Sequence, residues 1–519
     1  MDTASATTSL LAALPARISA IVRARAADAP DAPALKQDGR TWNYAQLAQE
    51  VDAHAALLRQ LGVRAGDRLM VVGENCVAQV ALIFAAAELD AWVVNVNARL
   101  SAAEVANIGR HCGARRVLYT VDASPEARQH AAHDNAQPHG ALMAGPLNQT
   151  CSPEPVEAGN GQVAALIYTT GTTGHPKAVM LTHRNLLFIA AVSSTLRGLT
   201  PHDRAYGVLP ISHVYGLASV MLGTLYAGAC LVLSARFSSA AMLRAIVDDR
   251  LTILQGVPAM YARLLEQAAS AVPLASHLRF IYAGGSPLDP SLKQQVEQLL
   301  GLPLHNGYGM TESSPTISQT RLDAPRTDTS VGTVIPGVDV RIVDAGGADV
   351  APGEPGELWV RGPNVMKGYY HEPELTAAAM REGGWLNTGD MARQHADGAL
   401  FIVGRTKELI IRSGFNVYPV EVETALNAHP GVVQSAVVGR AVAGANEEVV
   451  AFVEADGRNP PSVEQLRAYL AQRLSPYKCP SEIVIMAALP AAATGKILKG
   501  QLKALAQDMS AKKTQETKK

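Results

Sequence analysis

Short apolar runs alternate with stretches in which apolar residues return every three or four positions over the first 400 residues. The runs RLMVVG (68–73), AWVVNVN (91–97), RRVLYT (115–120) and AALIYT (164–169) are bounded by polar and turn residues and predict buried strands. NYAQLAQEVDAHAALLRQLG (43–62) and SAAEVANIGRHCG (101–113) carry helical spacing. Strand–helix alternation of this kind predicts an α/β architecture, with layered subdomains and largely parallel sheets. Residues 135–162 are richer in Gly, Pro, Asn and Glu and read as a loop-rich link. Past Gly389–Asp390 the texture changes. GALFIVGR (398–405) reads as a hairpin strand, and a smaller α+β unit follows it. Its strands are VVQSAVVG (432–439) and EEVVAFVEA (447–455), and its helices are SVEQLRAYLAQRL (462–474) and ILKGQLKALAQDM (497–509). The expected division is a large N-terminal domain over 1–406 and a small C-terminal domain over 407–519, with a disordered polar tail from about 509.

Two segments test this reading. Val214 to Ala235 holds 22 residues without a charge, long enough to span a bilayer. Its glycines and its last part, CLVLSA, favour a core helix running into a strand. In the N-terminal stretch, Arg17, Arg23 and Arg25 with few acids resemble a transit peptide, but Ile18, Ile21 and Val22 fit an amphipathic surface helix, which is the preferred reading.

Composition narrows the partners. Of 519 residues 48% are apolar, so the chain has ample material for more than one core, and the formal net charge of −1 gives no broad field for nucleic acid or anionic membrane. It also permits a homodimer. The five cysteines, at 76, 112, 151, 230 and 479, show no metal spacing and fit a reducing cytoplasmic compartment.

The candidate chemistry begins at IYTTGTTGHPK (167–177). A Walker loop sets lysine directly after its second glycine; here His175 and Pro176 intervene before Lys177, so the motif is a different one. The physics of anion binding remains. Gly171 and Gly174 let the backbone approach closely, Thr169, Thr170, Thr172 and Thr173 offer hydroxyls, and Lys177 offers a point charge.

Further along come GYGMTESSP (307–315), GWLNTGD (384–390), GRTKELIIRSGFNVYPVEVE (404–423) and PAAATGKILKGQL (490–502). This ordered set resembles the adenylate-forming superfamily of acyl-CoA synthetases, nonribosomal adenylation domains and luciferases, from about residue 15 to about residue 505. SGFNVYP and the placement of HVYG look most like fatty-acyl and aryl-CoA ligases, including the 4-coumarate–CoA ligase group. The resemblance implies two half-reactions. A carboxylic acid and ATP give acyl-AMP and pyrophosphate, and coenzyme A then takes the acyl group and releases AMP. A carboxylate is a poor electrophile, and the first step brings two anions together, so the site must supply cationic and hydrogen-bonding stabilisation.

The roles that follow are those the resemblance implies. The loop Thr169 to Lys177 holds the β- and γ-phosphates. Thr311 donates to the α-phosphate and Glu312 helps to hold Mg²⁺. Tyr308 stacks on adenine, Gly285 and Ser286 belong to the adenine-side wall, and Asn306 and Gly307 lead into the same site. Asp390 accepts from the ribose hydroxyls, and Arg405 is a second nucleotide contact. Lys496 is the catalytic lysine between carboxylate and α-phosphate. It must then withdraw, so the small domain is expected to rotate, with Lys407 at the hinge. Gly414 would line the pantetheine tunnel, and Arg412, Ser413 and Arg236 would lie near coenzyme A. The sequence departs from the 4-coumarate group at Ile411 and Ser413, where that group carries lysines.

The acyl pocket implied by resemblance is lined by His213, a candidate gate, and by Tyr215, Gly216, Met260, Ala283, Gly284, Gly309, Met310, Pro315 and Thr316. None is cationic, which disfavours diacids. The small residues at 284 and 309 leave room for a ring or a chain, so aryl, arylpropenoic and medium- or long-chain fatty acids stay open. At the second step a carrier protein is an alternative acceptor and an oxidative, luciferase-like reaction a more remote one. A catalytically silent nucleotide- or acyl-binding protein is the reading from another class.

Overall fold

A computed structural model describes residues 3–170, 176–268, 276–412, 415–442, 446–455, 457, 460–491 and 497–516. Two large sheets organise the N-terminal part. The first has nine strands, in the order Thr333–Val334, Thr316–Gln319, Leu304–Gly309, Phe280–Ala283, Ile253–Gly256, Arg204–Gly207, Cys230–Leu233, Pro33–Gln37 and Arg40–Asn43. The second has eight, in the order Gly368–Tyr369, Pro176–Thr182, Val163–Thr170, Trp92–Asn97, Arg68–Gly73, Arg116–Tyr119, Leu142–Ala144 and Gln137–His139. Their centres are parallel, as βαβ crossovers require, and their margins are antiparallel hairpins, so the sheets are mixed.

Both sheets contribute side chains to one continuous apolar core. The helix Val77–Glu88 is buried from Gln79 to Ala87 on every face, which explains why its sequence lacks amphipathic spacing. Tyr44–Gln60 and His183–Leu196 begin with reciprocal caps, Asn43 with Gln46 and Thr182 with Asn185. A third sheet, built on Asp339–Val343, Gly356–Arg361, Trp385–Gln394, Met380–Arg381 and Leu400–Arg405, is wholly antiparallel.

After Arg405 a short 3₁₀ turn, Thr406–Glu408, leads to the hairpin Ile410–Arg412/Phe415–Val417 and a three-stranded sheet of Val432–Val442, Asn446–Ala455 and Glu482–Met486. Apolar clusters cover both faces of that sheet. The helix Lys499–Glu516 runs past residue 509, where a disordered tail was expected to begin; Lys, Gln and Ala favour helix and no proline interrupts the run.

The uncharged segment is intracore: Tyr215–Leu222 winds as a π-helix, Gly223–Tyr226 as an α-helix, and Cys230–Leu233 is a strand. No helix among the described residues is long and apolar enough to cross a membrane. The N-terminal helix Ala20–Asp28 docks through Ile21 and Val22. Its neighbourhood's arginines are engaged: Arg17 with Asp90, Arg23 with Glu88 at 2.7 Å and Arg25 with the Tyr226 carbonyl at 2.6 Å.

Candidate active site

The hairpin Val163–Thr170/Pro176–Thr182 sets Thr169 opposite Lys177 and Thr170 opposite Pro176. Gly171, Thr172, Thr173 and Gly174 lie outside the described residues, as does the Thr170 side chain. The Lys177 ammonium stands 5.4 Å from the centre of the Tyr369 ring. Tyr369 reaches this place because Gly368–Tyr369 adds as a strand to the hairpin's edge, opposite Met180 and Val179. The Tyr369 hydroxyl donates to Glu312 Oε1 at 2.8 Å. Burial, reinforced by the Glu312 charge, pushes that phenol's pKa up and keeps it a donor. The Glu312 carbonyl accepts from Met366 N–H at 2.9 Å, and the segment before Met366 is held by Asn185, whose amide donates to the carbonyls of Pro363 and Val365 at 2.7 and 2.9 Å. Thr311 is buried beside Glu312.

Four residues before Glu312, Tyr308 donates through a short contact to Asp390 Oδ2. The other Asp390 oxygen lies 3.1 Å from Arg405 Nε, and the two residues are register partners across the hairpin of the third sheet. Burial opposes the Arg405 charge, but Asp390, Glu408, Tyr308 and Glu312 hold it and raise the guanidinium pKa. Burial first, then Asp390, pushes the Tyr308 phenol well up. Gly307 can carry no side chain, because a Cβ would overlap the Tyr282 hydroxyl and lie 2.8 Å from the Ser318 carbonyl. The Asn306 amide is spent on the Thr329 and Ser330 carbonyls, at 3.1 Å each, so it braces the site's floor. Gly285 takes a left-handed φ of +86° and is exposed, with Ser286 half-buried after it.

Tyr215, Met260, Ala283, Gly284, Pro315 and Thr316 are buried, and Met310 is half-buried. His213 caps the turn into the π-helix, its Nδ1 accepting from Tyr215 N–H at 3.2 Å. The reading of small residues as room needs correction at Gly309. A Cβ there would overlap the Pro315 carbonyl, so the glycine permits backbone contact rather than space. Gly216 is the same case: a Cβ would overlap the Pro210 carbonyl and sit 2.6 Å from that of Leu209. Gly284 alone faces side chains, Tyr282 at 3.2 Å and Tyr215 at 3.5 Å from its would-be Cβ.

Two of the residues implied for coenzyme A, Arg236 and Arg412, are already engaged. Arg236 pairs with the buried Glu74 at 2.7 Å and with Glu126, which removes the free cation expected there. Arg412 donates to the Tyr477 and Cys479 carbonyls at 3.1 and 2.6 Å, tying a hairpin to its neighbour. Lys407 is exposed in the turn Thr406–Glu408. Ser413, Gly414 and Lys496 lie outside the described residues; Ala491 and Ile497 form an antiparallel bridge, and Leu498 N–H donates to the Pro490 carbonyl at 2.8 Å.

Three residues escaped the sequence reading. Tyr369 sits between Lys177 and Glu312; the GYY triplet at 368–370 was its only signal. Lys499, three positions past Lys496, binds Glu408 at 2.9 Å and Glu423 at 2.8 Å and so joins the C-terminal helix to the turn after Arg405. Arg197, a lone charge ending an apolar helix, is 1% exposed.

The family model for AMP-binding enzyme matches residues 22–370, and that for AMP-binding enzyme C-terminal domain matches 421–496. A feruloyl-CoA synthase of Amycolatopsis sp is 36% identical over 487 residues, 92% of this chain and 97% of the relative. The 4-coumarate–CoA ligase 2 of Oryza sativa subsp. japonica is 34% identical, over 93% of this chain and 91% of the relative. Crystalline ATP-bound MatB from Rhodopseudomonas palustris superposes with a TM-score of 0.85 at 28% identity, over 95% of this chain and 99% of that one. With its two halves matched by two models and its length by relatives of one kind, the chain belongs to the AMP-binding enzyme family, as an AMP-forming acyl-CoA ligase.

Proposed function

We propose that the acid this ligase activates is an aryl or arylpropenoic acid, and that the residues converging on the loop hairpin hold its ATP. The observation that carries the reading is the string Lys177–Tyr369–Glu312 and, four residues before Glu312 at the end of the strand Leu304–Gly309, Tyr308–Asp390–Arg405. Cationic and acidic groups from two sheets and the 3₁₀ turn Thr311–Ser313 converge there, as a nucleotide whose charged phosphates adjoin a ribose requires. The sequence relatives named above act on feruloyl and 4-coumaroyl groups, which supports the aromatic class.

In this reading Asp390 accepts from ribose hydroxyls, with Arg405 fixing its orientation. Lys177 and the residues 169–174 take the leaving phosphates. Thr311 donates to the α-phosphate. Lys496 neutralises the charge that develops as the acid's carboxylate attacks phosphorus, the stage where preorganised donors lower the barrier most. Glu312 suits Mg²⁺: it is half-buried, and Tyr369 orients one of its oxygens. Among the described residues no three acidic, His or Cys side chains form a metal cage, which fits a hard cation that travels with phosphates. That ion would neutralise phosphate charge. Coenzyme A is the acyl acceptor of the second step, and a reducing cytoplasm fits the five free cysteines.

The test is acid-dependent exchange of labelled pyrophosphate into ATP across a panel of aryl, arylpropenoic and fatty acids, followed by thioester formation with coenzyme A. Aromatic acids are expected to lead the panel. Exchange driven best by saturated fatty acids would refute the substrate class, and exchange with none of these acids would refute the reading as a whole.

A further inference from the structure

The wall at Gly284 has a cation behind it. The Arg197 guanidinium carbon lies 4.6 Å from the centre of the Tyr282 ring, and Tyr282 and Tyr215 are the two side chains that face Gly284. Arg197 Nη1 donates to Gln255 Oε1 at 2.7 Å and to the Ser219 carbonyl at 3.3 Å, while the Ser219 hydroxyl sits 3.4 Å from that of Thr316. Arg197 is therefore one contact removed from Tyr215, Gly284 and Thr316.

Among the described residues the remaining Arg197 nitrogens, Nε and Nη2, are buried without a hydrogen-bond partner, and no carboxylate pairs with Arg197. The Tyr215 hydroxyl and Gln255 Nε2 are buried and unpartnered beside it. A guanidinium cut off from water and left without a counter-charge is costly, as are unmatched amide and phenol groups. Such a group persists where something that binds completes it. Nε and Nη2 share one edge of the planar fork, the edge that meets two oxygens side by side.

Building on the acid–CoA ligase reading, we propose that Arg197 is a specificity-determining residue that accepts an acid bearing an oxygen acceptor at the end remote from the carboxylate being activated. A second carboxylate would satisfy both free nitrogens and supply the missing charge, and a phenolic oxygen would satisfy one of them. This reverses the argument against diacids, which rested on a pocket lining with no cation: the cation stands one layer behind that lining.

The experiment uses three acids of one skeleton: cinnamic acid, 4-hydroxycinnamic acid and 4-carboxycinnamic acid. Pyrophosphate exchange by the full-length wild type is expected to favour at least one of the oxygen-bearing acids over cinnamic acid by at least tenfold in kcat/KM, and the better of the two identifies the acceptor. Arg197→Met is expected to reduce that ratio at least tenfold while cinnamic acid is still turned over. The ratio is read within one protein preparation, so a partly unfolded variant lowers both rates and leaves it unchanged. If Arg197→Met yields no folded protein, Arg197→Lys, which keeps the charge and loses the paired donors, is expected to lose most of the preference. Equal use of all three acids by the wild type, or an unchanged ratio in the folded variant, overturns the assignment. Absence of exchange with every acid would instead remove the ligase reading on which the assignment rests.

Discussion

Asp390 and Arg405 face each other as register partners on adjacent antiparallel strands, with Oδ1 and Nε 3.1 Å apart and the second carboxylate oxygen taken by Tyr308. The carboxylate is therefore fixed before any ribose arrives. Asp390→Asn keeps the shape but loses the charge that Arg405 and the ribose hydroxyls both use. Hydrogen bonds to charged groups contribute about 1.5–3 kcal/mol, so KM for ATP is expected to rise roughly 10- to 100-fold with KM for the acid little changed. Initial-rate kinetics with each substrate varied separately provides the check.

Tyr369→Phe removes the one described hydroxyl that donates to Glu312. The loss of a group that orients a metal-binding carboxylate weakens metal affinity by about 10- to 100-fold. The Mg²⁺ concentration giving half-maximal exchange is expected to rise by about the lower figure. Titration of exchange with Mg²⁺ at saturating ATP reads it, and an unchanged midpoint would detach Glu312 from the metal.

Lys499 is held between Glu408 and Glu423, which keep its ammonium charged although burial opposes it. Lys499→Met leaves two partly buried carboxylates facing each other. Removing one partner of a buried pair costs about 3–5 kcal/mol, and the partial exposure here reduces the expected loss to about 2 kcal/mol. Thermal unfolding should show the small unit melting earlier, and a double change with Glu408→Gln should recover part of the loss.

Arg236 predicts a stability effect rather than a coenzyme A effect. Arg236→Ala deprives the buried Glu74 of its partner at 2.7 Å and, among the described residues, leaves it Arg99 at 3.3 Å. A lower Tm is expected, with KM for coenzyme A moving by less than an order of magnitude. A larger rise in that KM with an unaltered Tm would restore the phosphate contact implied by resemblance.

Two imidazoles set an acid limit. Burial, with Arg17 adding, lowers His183 from 6.5 to about 3, and burial, with Lys293 adding, lowers His305 to about 4. The unfolded chain binds protons at both near pH 6.5, and the folded chain does not. Their contribution is therefore complete above about pH 6.5 and is lost as the pH falls towards about 4, at up to about 1.4 kcal/mol per pH unit for each group. Urea midpoints across this window should show the slope. His183→Gln, which still offers an acceptor to the Ile18 N–H bonded to Nδ1 at 3.2 Å, should flatten it by about half.

The α/β alternation was legible in the sequence because it rests on local signals, and the residues that the resemblance implies for the nucleotide lie in short motifs. AALIYT and RLMVVG form strands as their apolar runs require, and Tyr308, Glu312 and Asp390 sit in motifs whose spacing is short. What escaped depends on distant chain segments meeting. Tyr369 matters because Gly368–Tyr369 pairs with Pro176–Thr182, nearly two hundred positions earlier, and Arg197 because Gln255, Tyr282 and Ser219 come from three other elements. Glycine was misleading for a similar reason. At 309 its meaning lies in which carbonyl crosses it, and composition cannot show that.

The cysteines offer a practical handle. Four are sealed inside the fold, with burial pushing Cys112 up to about 12 and Cys230 up to about 11, whereas Cys479 is only half-buried and sits on the small unit, beside the carbonyl gripped by Arg412. A maleimide dye offered to the native enzyme therefore meets one sulfur far more readily than the others. Labelled there, the natural chain carries its own fluorescent pointer, and the rotation of the smaller unit that the resemblance implies can be looked for through a turnover without engineering in a handle.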